Sequence, residues 1–319
     1  MTPRALLAVA VAASAALLTS GCTGSDTDDP PRSSSESQTT DATTAGAADD
    51  VVVTEEDIDV GGRELYLRCW GRPVPDEPTI LLLAGSGPTT SSWEPMAVDL
   101  ATDRHHLCAY DRLGVGRSAA LFDAPRSTKD QVDDLVALLD AADLQEPVVV
   151  VAHSLGSFPA VGLVDRAPER VAGVVLVDPW APRVSAARRA ALPPRKPHES
   201  PELAAERRFL NDYLHDPAQN PEHLLLADNE EEVKVMLDKP GPIFGDLPVV
   251  LLQAPQLPFL PGLTHRYHEA NVAAIAAGNE EFVAESGRGT LIKVEDTGHN
   301  IQDDQPEVVM DAILDVLAG

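Results

Sequence analysis

Short stretches of uninterrupted apolar residues recur along the chain: TILLL at 79–83, VVVVA at 148–152, VAGVVLV at 171–177 and LPVVLLQ at 247–253. A strand with one face in water alternates polar and apolar residues. A strand apolar at every position is covered on both faces, which marks a parallel sheet held between helices. The segments between these runs have helical periodicity: 92–102, 127–144, 158–165, 264–277 and 306–317. Within 127–144, Val132, Leu135, Val136 and Leu139 form one apolar stripe, and Thr128 with Gln131 has capping-box spacing. Residues 105–110 and 290–294 read as further strands. ELYLRCW at 64–70 alternates at period two after Gly61-Gly62, as the hairpin partner of a first strand drawn from 51–53 and 58–60. The expected fold is therefore α/β, a mostly parallel eight-stranded sheet with helices on both faces. Residues 182–242 break the alternation, with helical patterns interrupted by prolines and no strand-like run, and read as an inserted helical lid.

The N-terminal 50 residues stand apart. Arg4 precedes a small or apolar run from Ala5 to Leu18, followed by Ser20, Gly21 and Cys22, the layout of a secretory signal over 1–21. The run is too short for a comfortable membrane span. LTSGC at 18–22 also resembles a bacterial lipobox, with Thr19 where such boxes usually carry Leu, and implies lipidation at Cys22; simple cleavage and secretion is the alternative. Residues 22–50, rich in Ser, Thr, Asp and Pro, hold almost no hydrophobic side chain larger than Ala and cannot offset the entropy of ordering them, so a disordered tether is expected. The folded domain is expected over 51–319.

The formal net charge is −27, with 51 acidic against 24 basic residues, so phosphate backbones and anionic membrane surfaces are repelled. No nucleic-acid partner is expected, and membrane contact only through the anchor. Cys69 and Cys108 remain after Cys22; their spacing alone does not establish a disulfide.

Ser154 lies in AHSLG, after a strand and before a helix. A serine held in a sharp strand-to-helix turn needs small residues two before and two after it, and Ala152 and Gly156 meet that need. A serine hydroxyl also needs a base. His299, in the loop between the last strand and the terminal helix, is the candidate; His153, beside the serine, is expected to point away into the structure. Two backbone N–H groups must receive developing negative charge. Leu155 supplies one, and Ser86, in AGSGP at 84–88, is the candidate for the second.

From about residue 51 onward the chain resembles the α/β-hydrolase family. The resemblance is carried by LLLAGSG, AYDRLGVGRS at 109–118, AHSLG, LVDPW at 176–180 and the GHN near the C-terminus, in the family's order and spacing. Ala84-Gly85 replaces the usual His-Gly, and the elbow begins with Ala rather than Gly. Members place the triad acid after strand six or strand seven. Strand seven is followed by no Asp or Glu until Glu269, so the resemblance assigns the acid to Asp178. It also sets Cys69 and Cys108 on adjacent strands and so implies a disulfide, and it gives Asp111 and Arg112 a structural task in tying loops beneath the site. Trp180 is a candidate pocket wall, whereas Trp93, Phe209, Leu210 and Leu214 are expected in the core.

The expected activity is an exported serine hydrolase of small carboxylic esters, with no cofactor and no metal. A non-catalytic binding protein on the same fold, a peptidase and a cofactor-free perhydrolase are the alternatives. Ser rather than Asp at the elbow argues against epoxide hydrolases and haloalkane dehalogenases.

Overall fold

The computed structural model describes residues 51–118, 120, 122–255 and 262–319. The expected signal, Cys22 and tether lie outside the described residues. In chain order the elements are β1 (Val53–Asp59), β2 (Glu64–Trp70), β3 (Ile80–Leu83), α1 (Glu94–Thr102), β4 (Leu107–Tyr110), α2 (Thr128–Ala141), β5 (Val148–His153), α3 (Ser157–Arg166) and β6 (Val171–Val177). Three helices follow, α4 (Val184–Ala191), α5 (Pro201–Asn211) and α6 (Leu226–Leu237). The chain then returns to β7 (Gly245–Gln253), α7 (His265–Ala284), β8 (Ser286–Lys293), α8 (Ile301–Asp304) and α9 (Pro306–Ala318).

The strands form one sheet in the order β1-β2-β4-β3-β5-β6-β7-β8. β1 pairs antiparallel with β2 and β2 with β4; the remaining pairings are parallel. Every residue of β3 and β5 is buried, as two covered faces require. Alternate residues go to opposite cores. Leu81, Leu83, Val148, Val150 and Ala152 join a cluster with Leu135 of α2 and Phe158 of α3, while Ile80, Leu82, Val149 and Val151 pack with Met96 of α1 and Ile313 of α9. Cys69 and Cys108 stand directly opposite each other in the β2–β4 pair and are joined as a disulfide. Among the described residues, no helix is long and apolar enough to cross a membrane.

Three local expectations need correction. The N-cap of α2 is Ser127, whose side chain accepts from the Asp130 N–H while Asp130 accepts from Ser127. Ser127-Asp130 and Thr128-Gln131 both fit the capping pattern, and the acidic partner one residue earlier is the one used. Thr128 and Gln131 are buried instead. Second, α7 runs past 277, because Gly278 packs against the start of the insertion rather than ending the helix: a Cβ there would lie 2.7 Å from the Ala181 Cβ. Third, β8 begins at Ser286. Gly287 and Gly289 dilute its apolar signal, and Gly289 is needed because a Cβ there would stand 2.2 Å from the Val283 carbonyl oxygen.

Candidate active site

β5 delivers His153 to the edge of the sheet, and the chain turns at once. Ser154 adopts φ +50°, then residues 154–156 form a 3-10 turn that leads into α3. A left-handed serine costs on the order of 1–3 kcal/mol, tolerated where the surroundings over-determine it. They do here. A Cβ on Gly156 would fall 2.6 Å from the Leu83 carbonyl oxygen, so only glycine lets the turn press against β3. The Ser154 carbonyl accepts from the Trp180 N–H at 3.0 Å, tying the turn to the chain leaving β6.

Asp178 leaves β6 in the same left-handed region, with φ +40°. Its N–H donates to the Leu252 carbonyl at 2.7 Å, and its Oδ1 accepts from the Ala254 N–H at 3.0 Å, so β7 and the residue after it hold the Asp178 backbone and one carboxylate oxygen. The other oxygen, Oδ2, lies 2.6 Å from Nδ1 of His299. Nε2 of His299 lies 2.9 Å from Oγ of Ser154. The structure thus brings the three residues singled out in the sequence into one hydrogen-bonded line. With Asp178 accepting from Nδ1–H, the Nε2 lone pair faces the serine hydroxyl. The His299 side chain is 51% exposed and that of Asp178 18%, so the line opens to solvent on the imidazole side.

The loop carrying His299 is itself held. Gly298 N–H donates to Asp304 of α8 at 2.7 Å, and Nε2 of His153 donates to the His299 carbonyl at 3.0 Å. The rings of His153 and His299 lie 4.6 Å apart, tilted by 46°. His153 is therefore buried as expected but does not turn away from the site; it lies beneath His299. Burial, with the His299 ring as the next cause, lowers its pKa to about 4, so His153 is neutral at neutral pH and adds no positive charge below His299.

Leu155 is the second residue of the turn, where helix-start N–H groups lack an intrahelical acceptor. Ser86 is exposed in the loop after β3, which abuts the elbow: a Cβ on Gly85 would stand 3.3 Å from the Ser154 Cβ. Trp180 is half-buried. Its indole N–H donates to Glu230 of α6 at 3.1 Å, and its ring meets Phe158 of α3 and Phe209 of α5, so it joins the elbow helix to the insertion. Trp93, Leu210 and Leu214 are core residues, and Phe209 packs partly buried against the core. Asp111 accepts from the N–H groups of Thr90 and Arg117, and Arg112 binds the carbonyls of Ala84 and Gly85.

Among the described residues, Cys69, His106 and Cys108 offer ligand-type atoms within 4.8 Å of one another, but the two sulfurs are bonded together and present no thiolate. A groove of about 570 Å³ between α2, α3 and α6, floored by Val132 and Met236, contains none of the three aligned residues.

A left-handed serine between a parallel strand and a helix, faced by an imidazole and a carboxylate from later strand ends, defines a class, and the sequence agrees: residues 80–312 match the alpha/beta hydrolase family, to which the chain belongs. Among curated proteins it is similar to RutD of Variovorax paradoxus (strain S110), whose name proposes a carbamate hydrolase. The identity is 36% over 106 residues, 33% of this chain and 40% of that protein. RutD of Azorhizobium caulinodans is 36% identical over 121 residues, 38% of this chain and 43% of the relative. The matches thus span about two fifths of the length of these relatives. Among solved structures, 2-hydroxy-6-oxo-6-phenylhexa-2,4-dienoate hydrolase from Rhodococcus sp. strain RHA1 superposes with TM-score 0.57 at 19% identity, covering 84% of this chain and 100% of that one. Cfl2 of Burkholderia cenocepacia gives TM-score 0.59 at 18% identity, covering 83% and 96%. At such identities the likeness is one of fold.

Proposed function

We propose that the protein is a serine hydrolase that cleaves carboxylic esters through an acyl-enzyme. The observation that carries this reading is the line Ser154 Oγ, His299 Nε2, His299 Nδ1, Asp178 Oδ2, with separations of 2.9 and 2.6 Å. His299 takes the proton from Ser154 as the hydroxyl attacks the ester carbonyl, and Asp178 holds the tautomer and stabilises the imidazolium. The N–H groups of Leu155 and Ser86 receive the oxyanion. His299 returns the proton to the departing alkoxide. Water, activated by the same imidazole, then attacks the acyl group, and Ser154 is regenerated. An alkoxide is a better leaving group than an amide nitrogen, which favours esters over peptides. Carbamates, the class in the RutD name, would need the same nucleophile and oxyanion donors, and belong in the substrate panel.

The signal pattern and lipobox-like Cys22 support export with a lipid anchor, and the acidic, Ser- and Thr-rich segment after it supports a tether. The helices α4 to α6 lie between the acid-bearing strand and β7, the place where a lid would govern access to the serine. A fluorophosphonate probe tests the reading. Labelling of the folded protein that vanishes in Ser154→Ala, together with turnover of p-nitrophenyl esters, is expected; unlabelled, folded wild-type protein would mean a binding protein on a hydrolase fold. Turnover of peptides or carbamates in preference to esters would move the substrate class.

A further inference from the structure

Arg112 follows β4 by two residues and is buried, with its side chain 5% exposed. Its Nη1 donates to the Ala84 carbonyl and its Nη2 to the Gly85 carbonyl at 2.6 Å, while Nε and Nη2 also donate to the Glu222 carboxylate at 2.6 and 2.8 Å. Glu222 comes from the insertion between β6 and β7, has a side chain 2% exposed, and accepts a further bond from Nε2 of Gln131 at 3.0 Å. An ion pair so far from water is tolerated only when it has further hydrogen-bond partners, and the Ala84 and Gly85 carbonyls and the Gln131 amide supply them. Burial pulls the Arg112 pKa down, and the Glu222 carboxylate more than offsets that, so the guanidinium stays charged.

The direction of these bonds bears on the neighbouring peptide units. In a trans peptide the C=O and the following N–H point opposite ways. The carbonyls held by Arg112 belong to the units whose N–H groups are those of Gly85 and Ser86. Clamping both oxygens to one guanidinium turns both N–H groups away from it, on a loop whose Gly85 abuts Ser154. We infer that Arg112 is a positioning residue for the oxyanion site, fixing the Ser86 N–H toward the carbonyl oxygen of an acyl group on Ser154, and that Glu222 of the insertion holds Arg112 in place. The inference rests on Ser154 being the nucleophile.

The segment that brings Glu222 is fitted to this purpose. Asn220 closes it by donating to the Leu224 carbonyl and accepting from the Leu224 N–H. The His223 carbonyl accepts from the Arg126 N–H, and Gly114 admits the Pro221 carbonyl so closely that a Cβ would stand 2.1 Å from its oxygen. The insertion is thereby linked to the oxyanion loop through one guanidinium. A lysine could not replace it, since a single ammonium lacks the planar fork that reaches two carbonyls and a carboxylate together.

The test uses two variants of the full-length protein, Arg112→Lys and the double variant Arg112→Met with Glu222→Leu. The second removes both buried charges together and leaves neither unpaired, so it is expected to fold even where the first does not. For each, kcat and KM on a p-nitrophenyl ester are measured beside the Ki of an alkyl trifluoromethyl ketone, which forms a tetrahedral oxyanion on serine. Loss of one aimed donor lowers kcat by about 100-fold or more with KM within about threefold. The ketone's Ki is expected to rise in step with the fall in kcat/KM, a correlation that general loosening of the fold would not give. Folded variants that keep kcat and Ki within about threefold of wild type would overturn the inference while leaving the nucleophile intact. Wild-type protein without Ser154-dependent labelling would overturn the functional reading, and this inference with it.

Discussion

Nε2 of His153 donates to the backbone carbonyl of His299 at 3.0 Å, and the two imidazoles lie against each other. The residue before the serine thus supports the residue that faces the serine, across 146 positions of chain. Gly85, whose added Cβ would come within 2.8 Å of Nδ1 of His153, closes the space on the other side.

Because His153 is held neutral by burial, with a pKa near 4 against an ordinary 6.5, the unfolded chain binds more protons than the folded one between those values. The contribution is therefore complete above about pH 6.5 and is lost as the pH falls toward 4. Its size is on the order of 3 kcal/mol. His106, lowered by burial, acts in the same direction. Melting curves from pH 7 to 4.5 should show a steeper decline in wild type than in His153→Gln; equal slopes would remove His153 from the account.

Asp178→Asn keeps an oxygen for the Ala254 N–H, so the fold should survive. Loss of the carboxylate behind Nδ1 of His299 should lower kcat on a p-nitrophenyl ester by about 10⁴-fold. A decrease of less than tenfold would assign the acid elsewhere.

Ser154→Ala and Ser154→Gly should both abolish turnover, but they should not melt alike. Alanine keeps the left-handed strain at φ +50° and glycine releases it, a difference of about 1 kcal/mol after glycine's greater unfolded entropy is counted. The glycine variant should melt about 2–4 °C higher. Equal melting temperatures would mean the turn is unstrained.

The Cys69–Cys108 bond closes a loop of 39 positions, worth about 4 kcal/mol in the chain-entropy view. Replacing both cysteines by alanine should lower the melting temperature by about 10 °C and leave kcat at 25 °C unchanged, since the bond lies between β2 and β4 and not at the elbow. A large fall in kcat at full folding would tie this bond to the site.

Much of this arrangement is legible in the residues. Four buried strands announce themselves because burial on both faces leaves no polar position to interrupt the run, and AHSLG after one of them marks the turn by its small flanks. Asp178 emerges only through the resemblance to α/β-hydrolases, which place the acid after strand six or seven, since strand seven here is followed by no carboxylate until Glu269. The support of His299 by His153 is invisible for a physical reason: nothing local to a strand end fixes which surface a side chain there will meet. Glu222 is equally silent, 110 positions from Arg112 in a proline-rich stretch whose pattern describes helices and not what their connections bury. The extension of α7 past 277 is silent as well: the smallness of Gly278 serves packing against Ala181.

Ser154 and Asp178 leave neighbouring strands β5 and β6, already paired along their length, whereas His299 arrives only with the loop after β8. During synthesis, then, the hydroxyl and the carboxylate can be in register before His299 is within reach. On the proposed chemistry, any condition that frays the loop carrying His299 should silence the serine before the rest of the sheet gives way.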